Sequence, residues 1–325
     1  MTLASTKFGQ LPTPSLDWRS AGLRYHRLSW LLHQKFGCRV WKVSVDAGFT
    51  CPNVDGTLGT DGCIFCNNRS FSPGRRLGIA SISGQIEEGV RRLQRKKGPE
   101  RFLAYFQPGT NTYAPVERLR AVYEEALSHP LVVGLLIGTR PDCVPDEVLG
   151  LVTELADRTW IVIEYGLQTI HDKSLAWLNR GHTYAAFQDA AERTRRRGIS
   201  FGTHLILGLP GETREDMLAT ARAVAESGVH SLKLHNLHAV RNTVLADWVG
   251  TGKVRLLDRD EYASLVVDFL EAIPPHCVVD RLSGDAPPDY LVAPAWAEDR
   301  RAVRAAIEAE LVRRDSWQGK VYRPQ

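Results

Sequence analysis

No part of this 325-residue chain approaches the ~20 consecutive apolar residues of a membrane-spanning helix; its longest apolar run is Leu131 to Gly138. An integral membrane protein is therefore not expected. The first twenty residues lack the basic-then-apolar layout of an export signal, which points to a cytoplasmic location and reduced thiols. Neither G-x4-G-K-[ST] nor G-x-G-x-x-G occurs, so nucleotide-phosphate cradles of those types have no support. Repeats, low-complexity tracts and Pro/Ser-rich linkers are missing after residue 20, and so is a second C-x2-C pair of the kind a structural zinc site ordinarily presents. Charge of one sign does not dominate either. With 41 basic and 37 acidic residues the net charge is +4, which permits an anionic partner without requiring one.

What is present is ordinary globular usage, 43% hydrophobic and 24% charged, in a chain long enough for a large core. Six segments rich in β-branched and aromatic residues recur at 40–46, 102–107, 132–138, 160–165, 200–207 and 231–235, with helix-like stretches between them. Pro115 suits a first helical position, Thr183 opens a stretch that ends in RTRRR before Gly198, and Thr213 with Asp216 reads as a capping box. Alternation of this kind predicts an α/β fold with a parallel sheet. An eight-unit barrel takes ~250 residues, so six units over roughly 40–240 predict a partial six-unit (β/α) TIM-like barrel. The expected domains are an N-terminal arm and helix (1–35), the barrel (36–245) and a C-terminal α-rich extension (246–325) covering its open edge or bottom. Ligands in such folds sit at the C-terminal strand ends, and the longest loop there follows the first strand.

That loop carries Cys51, Cys63 and Cys66, three of the six cysteines. The C-x2-C turn lets two thiolates serve one metal centre, and Cys51 adds a third point. Three thiolates leave a coordination position open, which fits a 4Fe-4S cluster with one iron free to bind substrate. The bland alternative is zinc completed by Cys38 or a histidine. Cys38 precedes the first strand, at the opposite end of the barrel, and reads as a spectator; Cys143 and Cys277 read as packed thiols.

The blocks FGCRVWKVSVDAGFTCPN, YFQPGTNTYAP, GTRPDCVPDE, EYGLQTIHD, NRGHTY, HLILGLPGET, LKLHNLHAV, RLSGDAPP and LVAPAW resemble the radical S-adenosylmethionine (SAM) superfamily. Within it they are similar to the bacterial YhcC/YtqA-like family, whose first cysteine gap is long. TRPD, RGHT and GLPGET also resemble the radical-SAM domain of the Elongator catalytic subunit. The chain departs from the superfamily's usual C-x3-C-x2-C spacing, and carries Val54 where the family usually has arginine.

This resemblance implies a 4Fe-4S cluster on Cys51, Cys63 and Cys66, with SAM on the open iron and cleaved reductively to a 5′-deoxyadenosyl radical. Iron-sulfur clusters reach down to roughly −700 mV, low enough for that cleavage. A flavodoxin- or ferredoxin-type electron donor is implied with it. Phe65 would lie near the adenine, and Gln107 to Thr110, including Gly109, would receive the SAM amino group. Glu164 and Gln168 would meet ribose or methionine polar groups, Arg180 the carboxylate, Gly208 to Gly211 the adenine side, and His235 the cofactor or substrate. Modification of wobble uridine in tRNA is the implied reaction. The alternatives are a small-metabolite or protein substrate and, from another class, a zinc-binding interaction module. The basic clusters RRLQRKK and RTRRR read as solvated helix ends before an RNA-facing rim, since Gly98 and Gly198 follow them.

Overall fold

The computed structural model describes residues 17–98 and 100–324, so most of the expected N-terminal arm lies outside the described residues. Seven strands form one parallel sheet in the order β1-β2-β3-β4-β5-β6-β8: β1 (Val40–Val45), β2 (Arg101–Phe106), β3 (Val132–Thr139), β4 (Trp160–Gln168), β5 (Ser200–Leu207), β6 (Ser231–Asn236) and β8 (Val278–Arg281). The two remaining strands, β7 (Ala239–Val240) and β9 (Leu291–Ala293), make a small antiparallel ribbon. The sheet curls into an open barrel. Its first six strands stand where the sequence predicts them. The seventh, β8, falls within the span expected to be an α-rich extension (246–325), yet it pairs parallel with β6 through Ser231–Val278 and Leu232–Val279. Four residues carry too little periodicity to reveal a barrel strand in advance.

The helices between strands follow the named boundary signals. Thr183 accepts a hydrogen bond from the Ala186 amide, and Thr213 and Asp216 cap each other's backbone reciprocally. Pro115 stands one position earlier than expected, as the extended residue before the helix Val116–Leu127. Both basic clusters end helices, with Gly98 and Gly198 just beyond in the left-handed region, where a side chain would be strained. Arg195 and Arg196 pair with Glu192, and Arg193 with Asp189, so much of that charge is answered within its own helix.

Alternation along each strand splits the core in two. Phe102, Ala104 and Phe106 of β2 face the main core between sheet and outer helices, which also takes Tyr262, Phe269 and Val303 of the C-terminal helices. Leu103 and Tyr105 face the other way, into the lumen, where they pack with Leu136, Trp160, Val162 and Val278. The helix Leu28–Phe36 fills the lumen's lower end with Leu28, Leu31 and Leu32, each at most 8% exposed. Just before it, Arg27 bridges to Val279 along the free edge of β8. Among the described residues no helix is long and apolar enough to cross a membrane.

Candidate functional site

The loop after β1 folds on its own backbone. The amides of Val54 and Asp55 donate to the Cys51 carbonyl, Gly62 donates to the Asn53 carbonyl, and the Cys66 amide closes a tight turn on the Cys63 carbonyl at 3.0 Å. Asn53 ties this loop to the segment 179–183. Its amide donates to the carbonyls of Asn179 (2.6 Å) and Arg180 (3.0 Å) and lies 3.5 Å from the Cys63 sulfur. Gly181 has to be glycine here, because a Cβ would come within 2.5 Å of the Asn53 side chain. Arg180 Nη1 donates to the Cys63 sulfur at 3.2 Å, while Nη2 holds the Gly166 carbonyl at 2.8 Å.

Cys63 is buried, Cys51 half-buried and Cys66 exposed on one side. The Cys66 thiol is pushed up to about 12, first by the protein packed around it, then by Cys63 and Cys51; Arg180 acts the other way. The three thiols thus share one electrostatic neighbourhood. Among the described residues no three His, Cys, Asp or Glu side chains close on a single ion. A cubane asks for something looser, since each of three thiolates holds a different iron, and the metal charge supplies the deprotonation that packing opposes. The donor set therefore fits a 4Fe-4S cluster.

The other candidates gather around this loop or below it. Gly109, at φ +78°, brings its backbone against Phe49, whose carbonyl would be 2.5 Å from any Cβ, and the Thr110 amide donates to the Thr50 carbonyl at 3.0 Å. Gln107 lies half-buried at the start of that turn. Phe65 packs against an apolar cluster that includes Ile206, Leu209 and Leu237, at the ends of β5 and β6. Gly208, at φ +84°, sits against Leu257, so the GLPGE turn is fixed partly by packing. Gln168 takes φ 77° at the end of β4, where the pairing with β5 is irregular, and its amide lies beside Gly166. Such a conformation for glutamine stores strain, which is characteristic of ligand-facing positions.

Two candidates already have partners within the protein. Glu164 is in the middle of β4, not at its end, and its carboxylate is already engaged, by Lys233 and by His204 Nε2 at 3.0 Å. Arg180 has three donors taken, by the Cys63 sulfur, the Gly166 carbonyl and His182 Nε2. Glu164 belongs to a ladder that crosses the lumen. Lys42 of β1 contacts Asp280 of β8 across the open seam, Asp280 lies 3.3 Å from Lys233 of β6, and Lys233 contacts Glu164. The Lys233 ammonium also sits 4.0 Å over the Tyr105 ring. Burial alone would raise Glu164, but Lys233 and His204 outweigh it and hold the carboxyl well below its usual range. Burial lowers Lys42 to about 8 despite Asp280, whereas Glu164, Tyr105 and Asp280 keep Lys233 above its ordinary value. His204 is lowered by burial and by Lys233, so it is neutral at pH 7 and its Nε2–H donates to Glu164.

Sequence reading missed Lys42, Lys233, Asp280 and Asn53. The one signal for Lys233 was a lysine between leucines in a strand otherwise buried. Gly284 was missed as well: a Cβ there would come within 2.8 Å of the His238 ring and 3.0 Å of His235 Nδ1.

An open parallel barrel with a three-thiol loop over its lumen defines a class of one-electron chemistry at a cluster-bound substrate. Residues 59–224 match the Radical SAM superfamily and residues 229–313 the Radical_SAM C-terminal domain, so the chain belongs to the Radical SAM superfamily and is a radical SAM enzyme, with a 4Fe-4S cluster and SAM as cofactors. The match includes Cys63 and Cys66 but begins after Cys51. Uncharacterized protein YtqA of Bacillus subtilis (strain 168) is 40% identical over 299 residues, 92% of this chain and 93% of YtqA. A tRNA uridine(34) acetyltransferase of Dehalococcoides mccartyi is 29% identical over 181 residues, 54% of this chain and 39% of that protein. Among solved structures, the archaeal Methanocaldococcus infernus Elp3 superposes with TM-score 0.64 at 16% identity, over 86% of this chain and 64% of Elp3, and shares the fold.

Proposed function

We propose that this radical SAM enzyme modifies the wobble uridine of tRNA, with residues 36–245 as most of the catalytic barrel and residues 246–325 as an extension that packs on it and contributes its last strand, β8. Likeness to the tRNA uridine(34) acetyltransferase carries the reading. A polar cavity of about 400 Å³ beside Cys66, lined in part by Arg69, Arg75 and Tyr290, supports it with room for an anionic partner near the thiol loop.

Cys51, Cys63 and Cys66 hold the cluster. Held there, the cluster and SAM would supply the one-electron chemistry of hydrogen abstraction. Asn53 and Arg180 fix the loop and keep cations and donors near the sulfurs. Phe65, Gln107, Gly109, Thr110, Gln168 and Gly208 border the space for SAM, and the leucine plug below Glu164 keeps bulk water from the lumen. A flavodoxin- or ferredoxin-type protein supplies the electron. The test is anaerobic incubation of the reconstituted enzyme with SAM, dithionite and total tRNA from a deletion strain, followed by nucleoside mass spectrometry. A mass change confined to wobble uridine supports the proposal. 5′-Deoxyadenosine formation with every tRNA nucleoside unchanged overturns the tRNA part and leaves a small metabolite or protein as substrate.

A further inference from the structure

His235 follows Lys233 by two residues on β6, so its side chain lies on the same lumen face, roughly 6–7 Å nearer the thiol loop. Its ring stacks on that of His204 with centroids 5.5 Å apart and planes 23° apart. Below the pair, every side chain of the ladder has a partner. Within the pair, His235 Nε2 is buried with no hydrogen-bond partner. Buried polar atoms are nearly always satisfied, and this one stands between a saturated floor and the cofactor loop. The absence of a side chain at Gly284 leaves the other edge of the ring its space. His204 and His235 are half-buried, whereas Lys233 below them is buried.

The floor also constrains what this atom meets. Lys42 and Lys233 are balanced by Asp280 and Glu164, so the buried layer carries no net charge to attract or repay an ion. Burial and the neighbouring His204 and Arg281 depress His235 well below its ordinary value, so it is a neutral imidazole with one donor and one acceptor. The nearby Arg281 is already paired with Asp285 at 3.2 Å, so an anionic ligand would be desolvated here without a free counter-charge, at considerable cost. A neutral ligand that brings a donor–acceptor edge into the plane of the imidazole would satisfy Nε2 with no charge to desolvate.

We propose that His235, stacked on His204, orients the substrate in the lumen, and that the group it takes is an uncharged planar ring with a hydrogen-bonding edge, the class that includes uracil. This rests on the wobble-uridine reading and names the part of the barrel that receives the base. Glu164 is a positioning residue: by accepting from His204 Nε2–H it fixes the tautomer and tilt of the ring beneath.

The test follows the histidine ring nitrogens by 15N NMR in the full-length, cluster-loaded protein, with uridine and benzoate as neutral and anionic ring probes. Uridine is expected to shift the His235 Nε2 resonance and benzoate to leave it in place. His235→Leu should weaken uridine binding about tenfold, one hydrogen bond's worth, and His235→Gln, which keeps an amide near Nε2, should recover most of that loss. Glu164→Gln should change the His204 tautomer in the same spectra, which a merely structural role would not do. A His235 response to benzoate in place of uridine, a response to neither, or no tautomer change overturns the proposal. The tRNA reading is judged separately by nucleoside mass spectrometry, so either can fail alone.

Discussion

The thiol loop and the lumen floor use opposite means to hold polar groups inside one barrel. The loop holds its shape through backbone hydrogen bonds and through Asn53 and Arg180, and leaves its sulfurs without full compensation. The floor, drawn from β1, β4, β5, β6 and β8, pairs each charge with another before any ligand arrives. The loop is thus completed by its cofactor, and the floor by the protein. Loss of a side chain should accordingly abolish activity in the first region and stability in the second.

The largest expected effect is at the loop. Cys51→Ala, Cys63→Ala and Cys66→Ala should each abolish 5′-deoxyadenosine formation in an anaerobic assay with SAM and dithionite while the thermal melt of the metal-free chain stays close to the parent's. Full activity in the three variants would erase the contrast. Lys233→Met leaves two buried carboxylates facing Lys42 alone and should cost about 3–5 kcal/mol in chemical denaturation. Adding Glu164→Gln should return part of that loss, which a simple packing defect would not allow.

A smaller effect separates a packed thiol from a ligand thiol. Burial pushes Cys277 up to about 12. Between the ordinary thiol value of 9.0 and that point the unfolded chain gives up its proton while the folded chain keeps it, so stability falls as pH rises, by about 1.4 kcal/mol per unit for this group. Cys277→Ala starts less stable at neutral pH and should close the gap on the parent from pH 9 upward, read from denaturation midpoints. The smallest change is Thr213→Ala, which removes one half of a reciprocal cap and should cost about 1 kcal/mol with cofactor loading unaffected.

How much of this was legible depended on sequence distance. The cysteine set was visible because its members share one loop, and the strands because valine, isoleucine and aromatic residues recur in short runs. Thr183 and Thr213 were readable because a cap acts within three residues. Glu164 could be recognised as a buried acid, but its partner could not, since Lys233 is 69 residues away and sits in a strand that reads as apolar. β8 was hidden for the same reason: only its register with β6 distinguishes it from a connecting segment. Arg180 showed as a cation near the mouth, yet that its guanidinium reaches the Cys63 sulfur follows from how the segment 179–183 folds over Asn53.

The seam contact between Lys42 and Asp280 joins residues 238 positions apart. During synthesis the earliest strand must therefore wait, with its lysine unanswered, until nearly the whole polypeptide has left the ribosome. A truncated product ending before Asp280 would leave the lumen unsealed along that edge.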